Sequence, residues 1–117
     1  MYFVSETYIF LNKIKQHIQS LPKADVHNHL HLGGTQKRIK EIYPSNTIVF
    51  PKSYNGLGGM IDFIYGHLDK VMVTSDDVIT FLKTAIESSI DDNIILLEAS
   101  VDIGLAKFFN GSIDQVI

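Results

Sequence analysis

The stretch Ala24-Asp25-Val26-His27-Asn28-His29-Leu30-His31-Leu32-Gly33-Gly34 places three of the chain's five histidines at every second position and ends on paired glycines. Val26, Leu30 and Leu32 alternate with Asp25, His27, His29 and His31, which is the period of a β-strand whose residues two apart share a face. The spacing predicts a strand over 24–32 with its histidines projecting together. Two imidazoles one strand step apart can reach a single divalent ion, and neutral imidazole suits zinc and comparable metals. A strand opening into a Gly-Gly loop also fits the carboxyl-end position where parallel α/β folds place their chemistry. The competing reading of the same pattern is the wet face of an edge strand. Asn28 interrupts the otherwise apolar face, and a local hydrogen bond is the only account the sequence offers for it.

Working outward, Val4, Leu11, Ile14, Ile18 and Leu21 recur at three- and four-residue steps, so 5–20 reads as an amphipathic helix with Ser5 as N-cap and Pro22 as its stop. After the glycines a short helix is expected from about Thr35 to Ile42, then a turn at Tyr43-Pro44-Ser45-Asn46. Residues 47–59 read as a long loop broken by Pro51, Gly56, Gly58 and Gly59. Residues 60–92 read as a helical crossover in two parts. Met60, Ile61, Ile64, Leu68 and Val71 mark the first, and Thr74-Ser75-Asp76-Asp77 resembles a capping box opening the second, which Val78, Leu82, Ala85 and Ile86 carry to about Asp92. The apolar run at 94–101 suits a parallel strand covered on both faces, where unpaired polar histidines opposite would be costly. Two strands joined by a helical crossover imply an α/β fold with a parallel sheet.

Composition narrows the chemistry. The chain has 117 residues, 45% of them hydrophobic and 20% charged, which is globular composition. A formal net charge of −3 gives no long-range attraction for nucleic acid or an anionic membrane. Without cysteine there is no disulfide framework, no thiolate metal site and no zinc deaminase centre of the His/Cys/Cys kind. No apolar run approaches the roughly 20 residues that span a bilayer, and the first sixteen residues do not read as a signal peptide. A cytoplasmic setting is the expectation.

The segment Leu21-Pro22-Lys23-Ala24-Asp25-Val26-His27-Asn28-His29-Leu30 resembles the opening motif of the adenosine deaminase family within the amidohydrolase superfamily. Leu21, Pro22, Lys23, His27, His29 and Leu30 match that motif, and Asp25 stands where the family usually has Glu. A weaker similarity covers 57–103, where Met60 to Phe81 resembles the lid and crossover helices and Ile94 to Asp102 the second strand. The resemblance implies the N-terminal part of a (β/α)8 metal-dependent hydrolase barrel, with His27 and His29 as ligands of one divalent metal, usually zinc. It further implies that zinc-activated water attacks the amino-bearing carbon of a purine nucleoside or base, releasing ammonia. Met60, Ile61 and Ile64 would then be lid residues over the substrate, unless they simply pack in their helix.

The departures set further expectations. His31 occupies the position of a family aspartate that contacts ribose, so it becomes a candidate substrate contact and leaves nucleoside specificity open. The family's Glu-x-Arg aligns with Glu98-Ala99-Ser100, which removes the arginine. A barrel of this type takes about 250 residues, so the chain reads as a single incomplete domain that lacks the family's general acid and remaining metal ligands. Deaminase turnover is not expected from it alone. Another His-x-His barrel hydrolase, such as a phosphoesterase, is the neighbouring reading, although Leu32-Gly33-Gly34 is not the Ser-Asp-Gly-like stretch usual there. A catalytically dead remnant with relic histidines is the third. An open apolar edge on the second strand would favour self-association.

Overall fold

The computed structural model describes residues 6–44 and 47–115. Helix α1, Glu6–Ser20, leads into strand β1, Lys23–His29, and a 3-10 turn, Leu30–Leu32. Helix α2, Gln36–Ile42, follows. Helix α3, Gly56–Phe63, then runs through a π-helical turn, Ile64–Leu68, into the single turn α4, Asp69–Val71. Helix α5, Ser75–Asp91, precedes strand β2, Ile94–Ser100, and 3-10 segments follow at Ile103–Phe109 and Ile113–Gln115. The result is a small α/β domain in which β1 and β2 form a two-stranded parallel sheet.

The Leu-Pro-Lys lead closes α1. Pro22 cannot continue the helix, and Lys23 Nζ donates to the carbonyls of Ile18, Gln19 and Leu21 at 2.9–3.1 Å. A cation there satisfies the helix's orphan carbonyls and opposes its negative C-terminal dipole. The expected apolar stripe of α1 stays largely open to solvent. No residue of this helix is buried, and Phe10 and Leu11 are 62% and 56% exposed. Val4 and Ser5 lie outside the described residues, as do Ser45 and Asn46 of the expected turn.

The capping box at α5 is complete: Asp77 N donates to Thr74 Oγ1 at 3.2 Å, and Thr74 N donates back to Asp77 Oδ2 at 2.8 Å. The helix buries Val78, Phe81, Thr84, Ala85 and Ser88, a three- and four-residue recurrence. They face a core built with Ile39, Ile48, Phe63, Leu68 and Met72. Leu105 and Phe109 complete it from the segment after β2, which carried no helical expectation. Each such apolar side chain contributes about 1.5–3 kcal/mol on leaving water. Ile86, expected on the inner face, is 45% exposed.

Three expectations are corrected here. The long loop ends earlier than read, because α3 begins at Gly56 and takes Gly58 and Gly59 into the helix. Each glycine costs about 1 kcal/mol against alanine in a helix, a cost offset where this helix packs Phe63 into the core. The first strand ends at His29, not at residue 32. Its partner β2 stops at Ser100, the residue in register with His29, so nothing is left to bond a longer strand. The chain turns there, Gly33 N donating to Leu30 O at 3.2 Å as Leu30 enters the interior. Finally, β2 is not covered on both faces: Ile95 and Leu96 are 73% and 60% exposed.

Candidate functional site

The pairing register breaks inside β1. Asp25 opposes Leu97 while Asn28 opposes Ala99, so three residues of β1 run against two of β2. This is a β-bulge, a device that re-aims side chains and is common beside active sites. Asp25 holds it closed: Oδ1 accepts from His27 N at 3.2 Å and Oδ2 from Asn28 Nδ2 at 2.8 Å. The Asn28 bond, followed by that of the His27 amide, keeps the Asp25 carboxyl below its usual pKa. The interruption at Asn28 is thereby explained, since its amide ties the bulge together.

Beyond the bulge His27 and His29 sit side by side at the carboxyl end of β1. Their rings meet edge to face with centroids 5.1 Å apart, and both residues are exposed. His29 has a further neighbour, because its Nδ1 lies 3.4 Å from Ser100 Oγ, which itself donates to Asn28 O at 3.2 Å. The donor set fits a divalent ion in kind, being two imidazoles side by side. It supplies only two ligands. Among the described residues no three His, Cys, Asp or Glu side chains gather as a metal site would require.

His31 does not extend the row of strand histidines, because it lies in the 3-10 turn. It is partly buried and its Nδ1 is enclosed with no hydrogen-bond partner among the described residues. Burial pushes the imidazole's pKa down, and the nearby carboxylates of Asp102 and Asp69 counter this only in part. His31 and Ile64 each line two cavities. One, of about 380 Å³, also includes His29, Ile61, Tyr65, Asp69, Asp102 and Lys107. The other, of about 250 Å³, includes Met60, Phe50, Tyr54 and Phe63 and is mainly apolar. The structure thus brings His29, His31, Ile61 and Ile64 around one space, with Met60 on the adjoining one. Tyr65, Asp69, Asp102 and Lys107 were not singled out from the sequence. For Asp102 a signal existed, since it directly follows the apolar run at 94–101 read as the second strand.

The paired glycines have a steric basis. A Cβ on Gly33 would fall 2.4 Å from Asn28 Oδ1, and one on Gly34 would fall 3.0 Å from Thr84 Cγ2 of α5. The chain therefore leaves β1 closely against both the bulge and the crossover helix. Glu98 is exposed on β2, and Ser100, two residues on, lies beside His29. His17 and His67 are exposed on helices, His67 stacking on Phe63 at 5.3 Å. A larger groove of about 770 Å³ runs between α1 and α2/α5, and no candidate residue lines it.

Comparison with known proteins adds one relative. A protein of Treponema pallidum (strain Nichols) named "Putative adenosine/adenine deaminase" is 33% identical over 107 residues, which are 90% of this chain and 35% of that protein. The chain thus spans about a third of the length of the curated relative it matches. No family model matches the sequence, and no solved structure matches it.

Proposed function

We propose that the chain is the first metal- and substrate-binding portion of a hydrolytic deaminase acting on adenosine or adenine. The observation that carries this reading is the pairing of His27 and His29 on one face at the carboxyl end of β1. The partial similarity to the treponemal protein supports a deaminase-like function at family level. A parallel βα-type arrangement is compatible with a portion of a (β/α)8 barrel.

In this reading His27 and His29 hold one zinc ion. Bound there, a dication lowers the pKa of a water towards neutrality. His31 keeps a neutral imidazole beside the reaction space, able to donate and accept one hydrogen bond each. Met60, Ile61 and Ile64 offer apolar contact to a flat purine. Asp69, Asp102 and Lys107 also line this cavity, where they offer hydrogen-bond partners to the polar groups of a nucleoside or base. A cytoplasmic setting belongs to the same proposal.

A second reading is an inert remnant whose strand histidines are relics. One experiment addresses both. Zinc binding is measured by calorimetry, and turnover of adenosine and of adenine by absorbance, for the chain and for a His27→Ala, His29→Ala double variant. The expected result is weak zinc binding that the double variant loses, with no turnover by the 117-residue chain. Zinc binding unchanged in the double variant would overturn the metal reading, and turnover that depends on both histidines would overturn the inactivity.

A further inference from the structure

We infer that Ser100 is a positioning residue for His29, fixing its tautomer so that Nε2 is the ring nitrogen left free to bind a ligand. The inference rests on the metal reading for its purpose, but not for its geometry. Ser100 Oγ has one proton, and that proton is committed: Oγ donates to Asn28 O at 3.2 Å. The same oxygen is 3.4 Å from His29 Nδ1. With its proton used, Oγ can only accept from the imidazole, which requires the hydrogen to reside on Nδ1. A neutral imidazole protonated at Nδ1 carries its lone pair on Nε2.

The arrangement follows from the fold. Ser100 is in register with His29 across the parallel pair, and both are the last residues of their strands. The Asn28 carbonyl belongs to the residue preceding His29, so one hydroxyl reads backbone and ring of the same strand end. Ligating histidines characteristically place their second nitrogen on such a partner, whose loss weakens metal binding about 10–100-fold. The Oγ–Nδ1 distance of 3.4 Å is long for a hydrogen bond, as such contacts commonly are without a bound ligand. Among the described residues no other candidate ligand shares the device. His27 has no side-chain hydrogen bond that would fix its tautomer among those the structure assigns.

The test uses the ¹⁵N-labelled full 117-residue chain without metal, at a pH where the histidines are neutral. Long-range ¹H–¹⁵N correlation spectra distinguish the two tautomers, and His29→Gln and His27→Gln variants each assign the missing ring by loss of its signals. We expect His29 in the Nδ1–H form in the wild type, a shift towards Nε2–H in Ser100→Ala, and restoration in Ser100→Thr, which keeps the hydroxyl. His27 should not change. Ser100 is exposed, so neither substitution empties the core. A His29 that is Nε2–H in the wild type, or unaltered by Ser100→Ala, would overturn the inference. Zinc titration of the same samples separates the two readings. A tautomer that follows Ser100 without any zinc binding leaves the positioning role standing and removes the metal reading. Zinc bound equally by wild type and Ser100→Ala, with no tautomer change, does the reverse.

Discussion

Gly33 lies beneath the side-chain amide of Asn28 so closely that a Cβ there would meet Oδ1 at 2.4 Å. Asn28 cannot simply move aside, because its Nδ2 is bonded to Asp25 across the β-bulge. Gly33→Ala should therefore destabilise by about 1–3 kcal/mol, as overpacking does. Most of that loss should disappear in an Asn28→Ala background, a coupling that a double-mutant cycle in urea reads directly. Additive losses would show that the glycine is required for another reason.

The loop after the bulge depends on one buried hydroxyl. Ser88 is 4% exposed, and its Oγ accepts from Thr35 N at 3.0 Å while donating to Thr84 O at 2.7 Å. Alanine at 88 strands the Thr35 amide, which opens α2. Leaving such a donor unsatisfied costs about 1–3 kcal/mol. Chemical denaturation of Ser88→Ala checks the figure, and hydrogen exchange should localise the loosening to the start of α2.

Acid should weaken the start of α5. Hydrogen bonds from the Thr74 and Val73 amides and from the Thr74 hydroxyl hold the Asp77 carboxyl below its ordinary pKa. A depressed folded-state value means that the stabilisation is present above the unfolded pKa and is lost as pH falls through the folded one. The difference in Tm between wild type and Asp77→Ala should thus be full at neutral pH and close below about pH 4. Thr74→Ala should cost about 1 kcal/mol at neutral pH through the lost cap.

The open sheet gives a prediction about association. A 13.2 kDa chain exposes 8672 Å², where the usual scaling for a folded monomer of that mass gives about 6,400 Å². Of the two strands, β1 is guarded by its bulge and by Asp25. Strand β2, Ile94–Ser100, carries neither lysine nor proline, the residues that protect edges. We expect the sedimentation-derived mass to rise with concentration and Leu96→Lys to hold the chain at 13.2 kDa. Association that persists in Leu96→Lys would point instead to the exposed apolar residues of α1.

Much of the molecule was legible in its sequence where the cause is local. The stop at Pro22 and the Thr74–Asp77 cap depend on neighbours a few residues away, and each appears in the structure where its spacing put it; the two-residue period around His27 is broken by the bulge, which leaves Val26 exposed as well. Helix α5 was also readable, although its buried face centres on Phe81, Thr84 and Ser88 more than on Leu82 and Ile86. A neighbour decided that detail, because the small side chain of Thr84 leaves room for the close passage of Gly34.

What the sequence by itself determined is the chemistry available: imidazoles at strand spacing, no thiols, a resemblance carried by Leu21 to Leu30, and a parallel crossover. Only the tertiary structure decided which of these groups meet. The alternation continues through His31, yet the strand stops at His29 because its hydrogen-bonding partner ends at Ser100. Asp69 and Asp102 reach the cavity of His31 from segments far apart in the chain, and no local period announces such a meeting. The bond between Ser100 and Asn28 is of the same kind. Periodicity fixes which face a side chain takes on its own element; register between elements fixes what it touches.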